Sequence, residues 1–402
     1  MRERSELTGL QALRGLAALL VVAHHTAGTL ALAKYGGHLL AGGLFGPMGR
    51  AGVDLFFVLS GFIIYYVHYT YIGCPHRLRN YGIRRLARIY PTFWVVLAIV
   101  TVPTLIYHPS AMIGDDASIG FLRSALLVPI TNPDQSNIVG VAWTLSHELL
   151  FYTLFGLLIL SRRVGVAVFA VWCTALLGAR FFSELAPPLN FLLHVKNLEF
   201  LMGVTVAKLL LETPRRAGWW TLASGAALFV ATGVVELRSG YDFLESWPTL
   251  IYGAAAALMI FALASLEEEH RIVRISHPLV FAGAASYSIY LIHFTLVVGL
   301  VKAAHGAGLT ERLPVLLLFL VIAAAATAGG VVLYLAAERR LVRLAQWLVA
   351  PPGGRLVVEQ DERPPRVDAP LMNQSSVAAT VPRSVSARDG FEPAEPHALR
   401  LR

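Results

Sequence analysis

Charge is the scarcest property of this chain. Asp, Glu, Lys and Arg make up 14% of its 402 residues, where soluble domains carry roughly 25%. That deficit argues against a soluble globular fold. Cysteine is nearly absent: Cys74 and Cys173 lie far apart in the sequence, which excludes a disulfide framework and gives no metal-binding spacing. Basic residues exceed acidic ones, for a net charge of +8, but they are dispersed at the ends of apolar runs and form no tract suited to nucleic acid. No internal repeat stands out, and no metal is expected. The first apolar run also lacks the marks of a cleaved leader. It exceeds the usual 7–15 residues, contains Arg14, and no clean small-residue cleavage site follows.

What the chain does have is long apolar sequence. Hydrophobic residues reach 56% and the mean hydropathy is +0.62. Runs near the ~20 residues needed to cross a bilayer recur along the chain. The pattern predicts an all-α polytopic membrane protein of about ten spans, at approximately 9–30, 52–72, 86–107, 143–161, 164–182, 193–211, 218–236, 247–266, 279–301 and 313–335. Lys and Arg near alternate span ends, from Arg2 and Arg4 through Arg84, Arg85 and Arg88 to Arg339 and Arg340, outnumber those at the opposite ends roughly two to one. Both termini are therefore expected in the cytoplasm. Residues 31–51 read as a glycine-rich connection, and FLRSALLVPI within 108–142 as an interfacial or re-entrant segment too short to cross. Residues 1–340 form the expected transmembrane domain. Residues 341–402 form a disordered cytoplasmic tail, most plainly from Pro351, where Pro, Ser, Arg and Glu replace apolar periodicity.

Chemistry concentrates on the first span. Arg14 and His25 stand eleven residues apart, about three turns and ~16 Å of rise, on one helix face. A charge within a span costs roughly 2.5–3.5 kcal/mol on insertion scales, so it turns toward protein or a water-filled cavity. Ordered by depth, Arg14, Arg85 and Arg88 form a cationic group near the cytoplasm, and arginine forks suit phosphate. His25, Asp54, Glu148, Glu199 and His293 fall nearer the outer face, where a histidine beside a carboxylate suits general-base work. Asp54 also fits a helix N-cap role. Trp143, Tyr152, His293 and Glu199 are the candidate substrate-binding residues, while His24 and His147 are read as non-catalytic.

Six segments in order resemble the acyltransferase-3 family of integral membrane O-acyltransferases. They are Gly9 to Ala17 with His25, GVDLFFVLSGF, RRLARIYP, WTLSHELLFY, NLEFLMG and SYSIYLIH. The Trp143 to Glu148 segment is most similar to exopolysaccharide acetyltransferases of the succinoglycan type, although an aromatic commonly stands there in place of His147. The resemblance implies a cytoplasmic acyl-CoA co-substrate, most often acetyl-CoA, bound by Arg14, Arg85 and Arg88. It implies His25, with Glu148 and Asp54, as the catalytic group, and a bacterial inner (plasma) membrane setting. The partners implied are membrane lipids and an envelope or exported carbohydrate, free or lipid-linked. His25 serves either as base or as acyl carrier. Two rivals stand beside this reading: acylation of a small secreted metabolite such as a macrolide, and a transporter or flippase with a His/Glu proton relay. The absence of repeat symmetry counts against transport.

Overall fold

A computed structural model describes residues 7–35, 37, 39–107, 115–129, 137–181, 185–213, 216–239, 247–269 and 275–349. Among the described residues there are helices and no strands. The first half contains α1 Thr8–Leu30, α2 Leu39–Arg50, α3 Gly52–His68, α4 Leu78–Tyr107, α5 Asp115–Ala125, α6 Trp143–Leu160, α7 Arg162–Gly178 and the short α8 Leu189–Leu192. The second half contains α9 Asn197–Glu212, α10 Trp219–Ser239, α11 Trp247–Glu268, α12 His277–Ala284, α13 Ser286–Gly306, the short α14 Leu309–Arg312, α15 Val315–Leu333 and α16 Arg339–Val349. A π-helical turn, Tyr334–Glu338, joins α15 to α16.

The protein is an all-α polytopic membrane protein. Seven of the described helical runs are long and apolar enough to cross a membrane: Phe45–Tyr71, Pro75–Val102, Gly140–Leu160, Trp219–Ser239, Trp247–Glu268, Ser286–Gly306 and Val315–Ala345. The other three expected spans are also helices but fall short of that standard. The 23-residue α1 is diluted by Gln11, Arg14, His24 and His25, the residues that carry its chemistry. α7 has 17 residues and α9 has 16, fewer than the ~20 of a full crossing. Two connections also differ from expectation. Part of the glycine-rich stretch 31–51 is the helix α2, which leads into α3. The expected domain boundary at 341 falls inside α16, whose polar and apolar residues alternate with helical period and which packs on α4. The tail from 350 onward lies outside the described residues.

α1 is the hub of the bundle, packing against α2, α3, α11, α12, α13 and α15. Its N-terminus is held by a carboxylate from the end of α11. Glu267 Oε1 accepts from the Gly9 backbone N–H at 2.6 Å and from the Thr8 hydroxyl at 2.7 Å, which satisfies orphan donors and opposes the positive helix end. Small residues let the neighbours come close, as is usual between membrane helices. A Cβ on Gly15 would lie 2.4 Å from the Leu279 carbonyl oxygen, and one on Gly283 only 1.8 Å from that of Gln11. α3 and α9 meet the same way, through Gly61 and Gly203, where a Cβ would lie 2.1 Å from the Phe200 oxygen and 2.0 Å from the Val58 oxygen.

That contact generates a test. Gly203→Leu forces two helix backbones apart, and overpacking typically costs 1–3 kcal/mol or more. The variant is expected to lose several degrees of apparent melting temperature in detergent, read by fluorescence size-exclusion chromatography after heating. A substitution at Gly178, whose Cβ would meet nothing within 4 Å, should leave the melting temperature unchanged.

Candidate active site

Helix α13 begins where α12 presses on α1, so Ser286 arrives beside Arg14 and His293 beside His25. The Arg14 guanidinium donates to the Ser286 hydroxyl at 3.2 Å and to Gln11 Oε1 at 3.3 Å. α4 brings Arg85 and Arg88, one turn apart and on one face. α6 brings Glu148 and Tyr152, and α3 closes the space with Phe56, Phe57 and Ser60. Together they enclose a pocket of about 910 Å³, counting its open mouth, which is within the usual range for small-molecule sites.

The pocket is cationic and ordered. Arg14, Arg85 and Arg88 line it against the single carboxylate of Glu148, and none of the three arginines forms an ion pair among the described residues. Arg85 is held by His68, whose Nε2 accepts from the guanidinium at 2.6 Å, and it lies 5.6 Å from the Tyr152 ring centre. The Tyr152 hydroxyl donates to Glu148. Tyr287 donates to the Ile89 carbonyl at 2.7 Å, tying α13 to α4. Behind the pocket, Glu338 on the π-helical turn accepts from Ser288 at 2.5 Å and interacts electrostatically with Arg88 and Arg14. Three half-buried cations against two nearby carboxylates leave an excess of positive charge that favours an incoming anion.

At the other end of the α1–α13 pair, His293 is fully buried. Its Nδ1 lies 2.6 Å from the Tyr290 carbonyl oxygen, which can only accept, so Nδ1 carries the proton and Nε2 of the neutral ring is an acceptor. That Nε2 lies 3.2 Å from His25 Nδ1, and His25 Nδ1 also lies 3.0 Å from the Val21 carbonyl oxygen. With two acceptors facing it, His25 Nδ1 must hold its proton. The lone pair is then left on Nε2 of His25, a half-buried ring. Tyr290, whose ring centre is 5.7 Å from that of His293, also lines the arginine pocket. It bonds Thr144 at 3.0 Å and packs on Phe56 at 5.7 Å, closing the gap between the two ends.

The residues expected from sequence therefore separate into three groups. Arg14, Arg85, Arg88, Glu148 and Tyr152 share the pocket, and His25 pairs with His293. Asp54 and Glu199 belong elsewhere. Asp54 is ion-paired with Lys196, and Glu199, fully buried, lies in the same cluster beside them. Neither Asp54 nor Glu148 bonds to His25, so its orienting partner is His293. Depth along a helix could not reveal this, because it fixes level and leaves the direction about the axis open. His24 turns to the Gly46 carbonyl at 2.8 Å, away from the site. Trp143 lies beyond the pocket, beside His147. His68, Ser286 and Glu338 went unnoticed in the sequence. Ser286 and Glu338 lie at helix junctions, and nothing in local pattern marks them.

The proton pattern can be observed directly. Nitrogen chemical shifts of histidine-labelled protein near pH 8, above the ordinary imidazole range, are expected to show His25 protonated on Nδ1 and bare on Nε2. The opposite tautomer would contradict the geometry.

A family model described as an acyltransferase domain matches residues 7–335. The exopolysaccharide production protein ExoZ of Rhizobium meliloti is 29% identical over 272 residues, covering 65% of this chain and 81% of that protein. The peptidoglycan O-acetyltransferase OatA of Listeria monocytogenes is 25% identical over 256 residues, covering 61% of this chain and 35% of that one. No solved structure matches with significance. With a match running from the start of α1 to the π-helical turn, this chain belongs to the acyltransferase-3 family.

Proposed function

We propose that this protein transfers an acyl group, in the simplest case acetyl, from acyl-CoA to a hydroxyl of an envelope or exported carbohydrate. The observation that carries the reading is the line of α1 beside α13, where Arg14 joins Arg85 and Arg88 of α4 in one pocket at one level and His25 presents an Nε2 lone pair at the other. Arg14, Arg85 and Arg88 would hold the phosphates of the donor, as planar guanidinium forks suit them. The Lys and Arg bias supports placing that end at the cytoplasm of a bacterial inner membrane. The names of the two relatives, exopolysaccharide production and peptidoglycan O-acetylation, favour a carbohydrate acceptor over a small secreted metabolite.

In the direct route the acceptor hydroxyl oxygen attacks the thioester carbonyl carbon while its proton passes to His25 Nε2. The C–O bond forms, the C–S bond breaks, and the thiolate recovers the proton from the imidazolium. His293 Nε2 and the Val21 carbonyl keep accepting from His25 Nδ1, so the ring stays oriented as it charges. In the acyl-carrier route the same Nε2 attacks the carbonyl carbon, forms an acyl-imidazole and expels the thiolate; the acceptor hydroxyl oxygen then attacks that carbonyl, the C–N bond breaks, and the hydroxyl proton passes through the freed Nε2 to the thiolate. Glu148, bonded to Tyr152, orders the donor pocket in either route.

His25→Ala is expected to keep CoA affinity and lose transfer by about two orders of magnitude or more, the usual worth of a general base. Arg88→Lys is expected to weaken CoA binding measured by calorimetry, because an ammonium cannot reproduce a bidentate fork. Transfer by His25→Ala at near the wild-type rate would remove both routes. Label on the protein after incubation with labelled acetyl-CoA and no acceptor, present in wild type and absent from His25→Ala, would select the acyl-carrier route.

A further inference from the structure

Helix α6 is a wall with two sides. Thr144, Leu145, Glu148 and Tyr152 face the arginine pocket. Trp143, Ser146 and His147 face a second hollow of about 570 Å³, counting its open mouth, completed by Phe191 and its neighbours Asn190 and His194. The consecutive His147 and Glu148 differ by about 100° around the helix and so serve opposite sides. Among the described residues the lining of this hollow contains no Asp, Glu, Lys or Arg. It is polar without being charged, the opposite of the donor pocket.

His147 is the distinctive member. It is only 4% exposed, and its ring lies among those of Phe191 at 4.3 Å, His194 at 5.3 Å and Trp143 at 5.9 Å. Asn197 spends both amide hydrogens on the Phe191 and Leu192 carbonyls, each at 3.1 Å. Its Oδ1 must therefore accept from His147 Nδ1, 2.9 Å away. This leaves the lone pair of His147 on Nε2, an atom with no hydrogen-bond partner among the described residues, yet absent from the atoms fully sealed from solvent. An acceptor that opens onto a cavity wall and meets no protein donor is free to accept from a molecule that enters the hollow.

The hollow is one turn of chain from the catalytic histidine. The His25 ring packs on Phe294 at 5.0 Å, and Phe294 abuts Gly140, where a Cβ would meet it at 3.3 Å. The turn Gly140–Ala142 runs straight into Trp143, and Tyr290 donates to Val141 within that turn at 3.3 Å.

We propose that this hollow docks a neutral sugar unit of the acceptor, with Trp143 and Phe191 as apolar walls and His147 Nε2 accepting from a sugar hydroxyl. Aromatic faces match the C–H faces of a pyranose, fixed polar atoms match its hydroxyls, and the lack of charge disfavours phosphorylated or acidic units. The unit bound here is a neighbour of the one acylated, and its binding steadies the reacting hydroxyl at His25. The proposal rests on the acyl-transfer reading above.

The test uses the full-length protein in nanodiscs, with neutral β-linked gluco- and galacto-oligosaccharides of two to six units as probes. His147→Asn keeps an N–H for Asn197 and removes the atom at the Nε2 position, whereas His147→Gln restores an amide there. Loss of one hydrogen bond predicts about 5- to 10-fold weaker oligosaccharide binding in His147→Asn, recovered in part by His147→Gln. CoA affinity and slow acetyl-CoA hydrolysis without acceptor should stay at wild-type level in both. Equal oligosaccharide affinity in wild type and His147→Asn overturns the subsite, as does a wild type that binds none of the probes. Oligosaccharide binding that depends on His147 in a protein that neither binds nor hydrolyses acetyl-CoA upholds the subsite and sinks the acyl-transfer reading instead.

Discussion

The contact between α1 and α12 governs the geometry of everything functional here. Gly15 faces the Leu279 carbonyl and Gly283 the Gln11 carbonyl, so the two helices meet backbone to backbone with no side chain between. Apolar side chains gain little by leaving lipid for protein, so membrane helices associate where small residues permit such close packing. Because α13 starts at the end of α12, this contact also decides where α13 runs. Ser286 then meets Arg14, and two turns later His293 meets His25. Any side chain at Gly15 or Gly283 would push α13 outward and separate both pairs together.

A second constraint is electrostatic. Two clusters of charge lie inside the bundle and are balanced differently. Asp54, Lys196 and Glu199 neutralise one another in part, and Arg50 pairs with Glu236, which also accepts from Tyr252 at 3.1 Å. These groups tie α3 to α9 and α2 to α10, and their role is explained by holding helices together. Arg14, Arg85 and Arg88 form no direct ion pair among the described residues, with the carboxylates of Glu148 and Glu338 nearby for three cations. Arg14 is steadied by the neutral partners Ser286 and Gln11, and Arg85 by His68, which orient a guanidinium without cancelling its charge. A pocket built in this way favours an incoming anion.

The same economy of neutral partners recurs at the histidines. His293 and His147 are each tied at Nδ1 to an oxygen that can only accept, a main-chain carbonyl in one case and an already committed amide in the other. Each therefore presents a lone pair at Nε2. In His293 it is passed to His25, which displays its own Nε2 in turn. In His147 it faces the second hollow. Tautomer here is a consequence of packing, set by which backbone atoms lie within reach.

The sequence by itself determined the helices, their order and the one-line arrangement of Arg14 and His25, because hydropathy and a 3.6-residue period act locally. Nine of the ten expected spans each correspond to one helix, while the one expected at 279–301 is divided between α12 and α13, and the pairing of Arg85 with Arg88 follows from their spacing alone. Sequence also picked out Glu148 and Tyr152, a turn apart on α6, which line the same pocket as the arginines. Tertiary structure alone decided which faces meet. Asp54 and Glu199 lie with Lys196 and away from His25, while His293 takes the place beside His25 that a carboxylate was expected to fill. Glu338, at the end of the π-helical turn, interacts electrostatically with Arg88 and Arg14 across a wide gap in sequence. Rotation of one helix against another is set by glycine contacts and hydrogen bonds between residues far apart in sequence, and no local pattern encodes it.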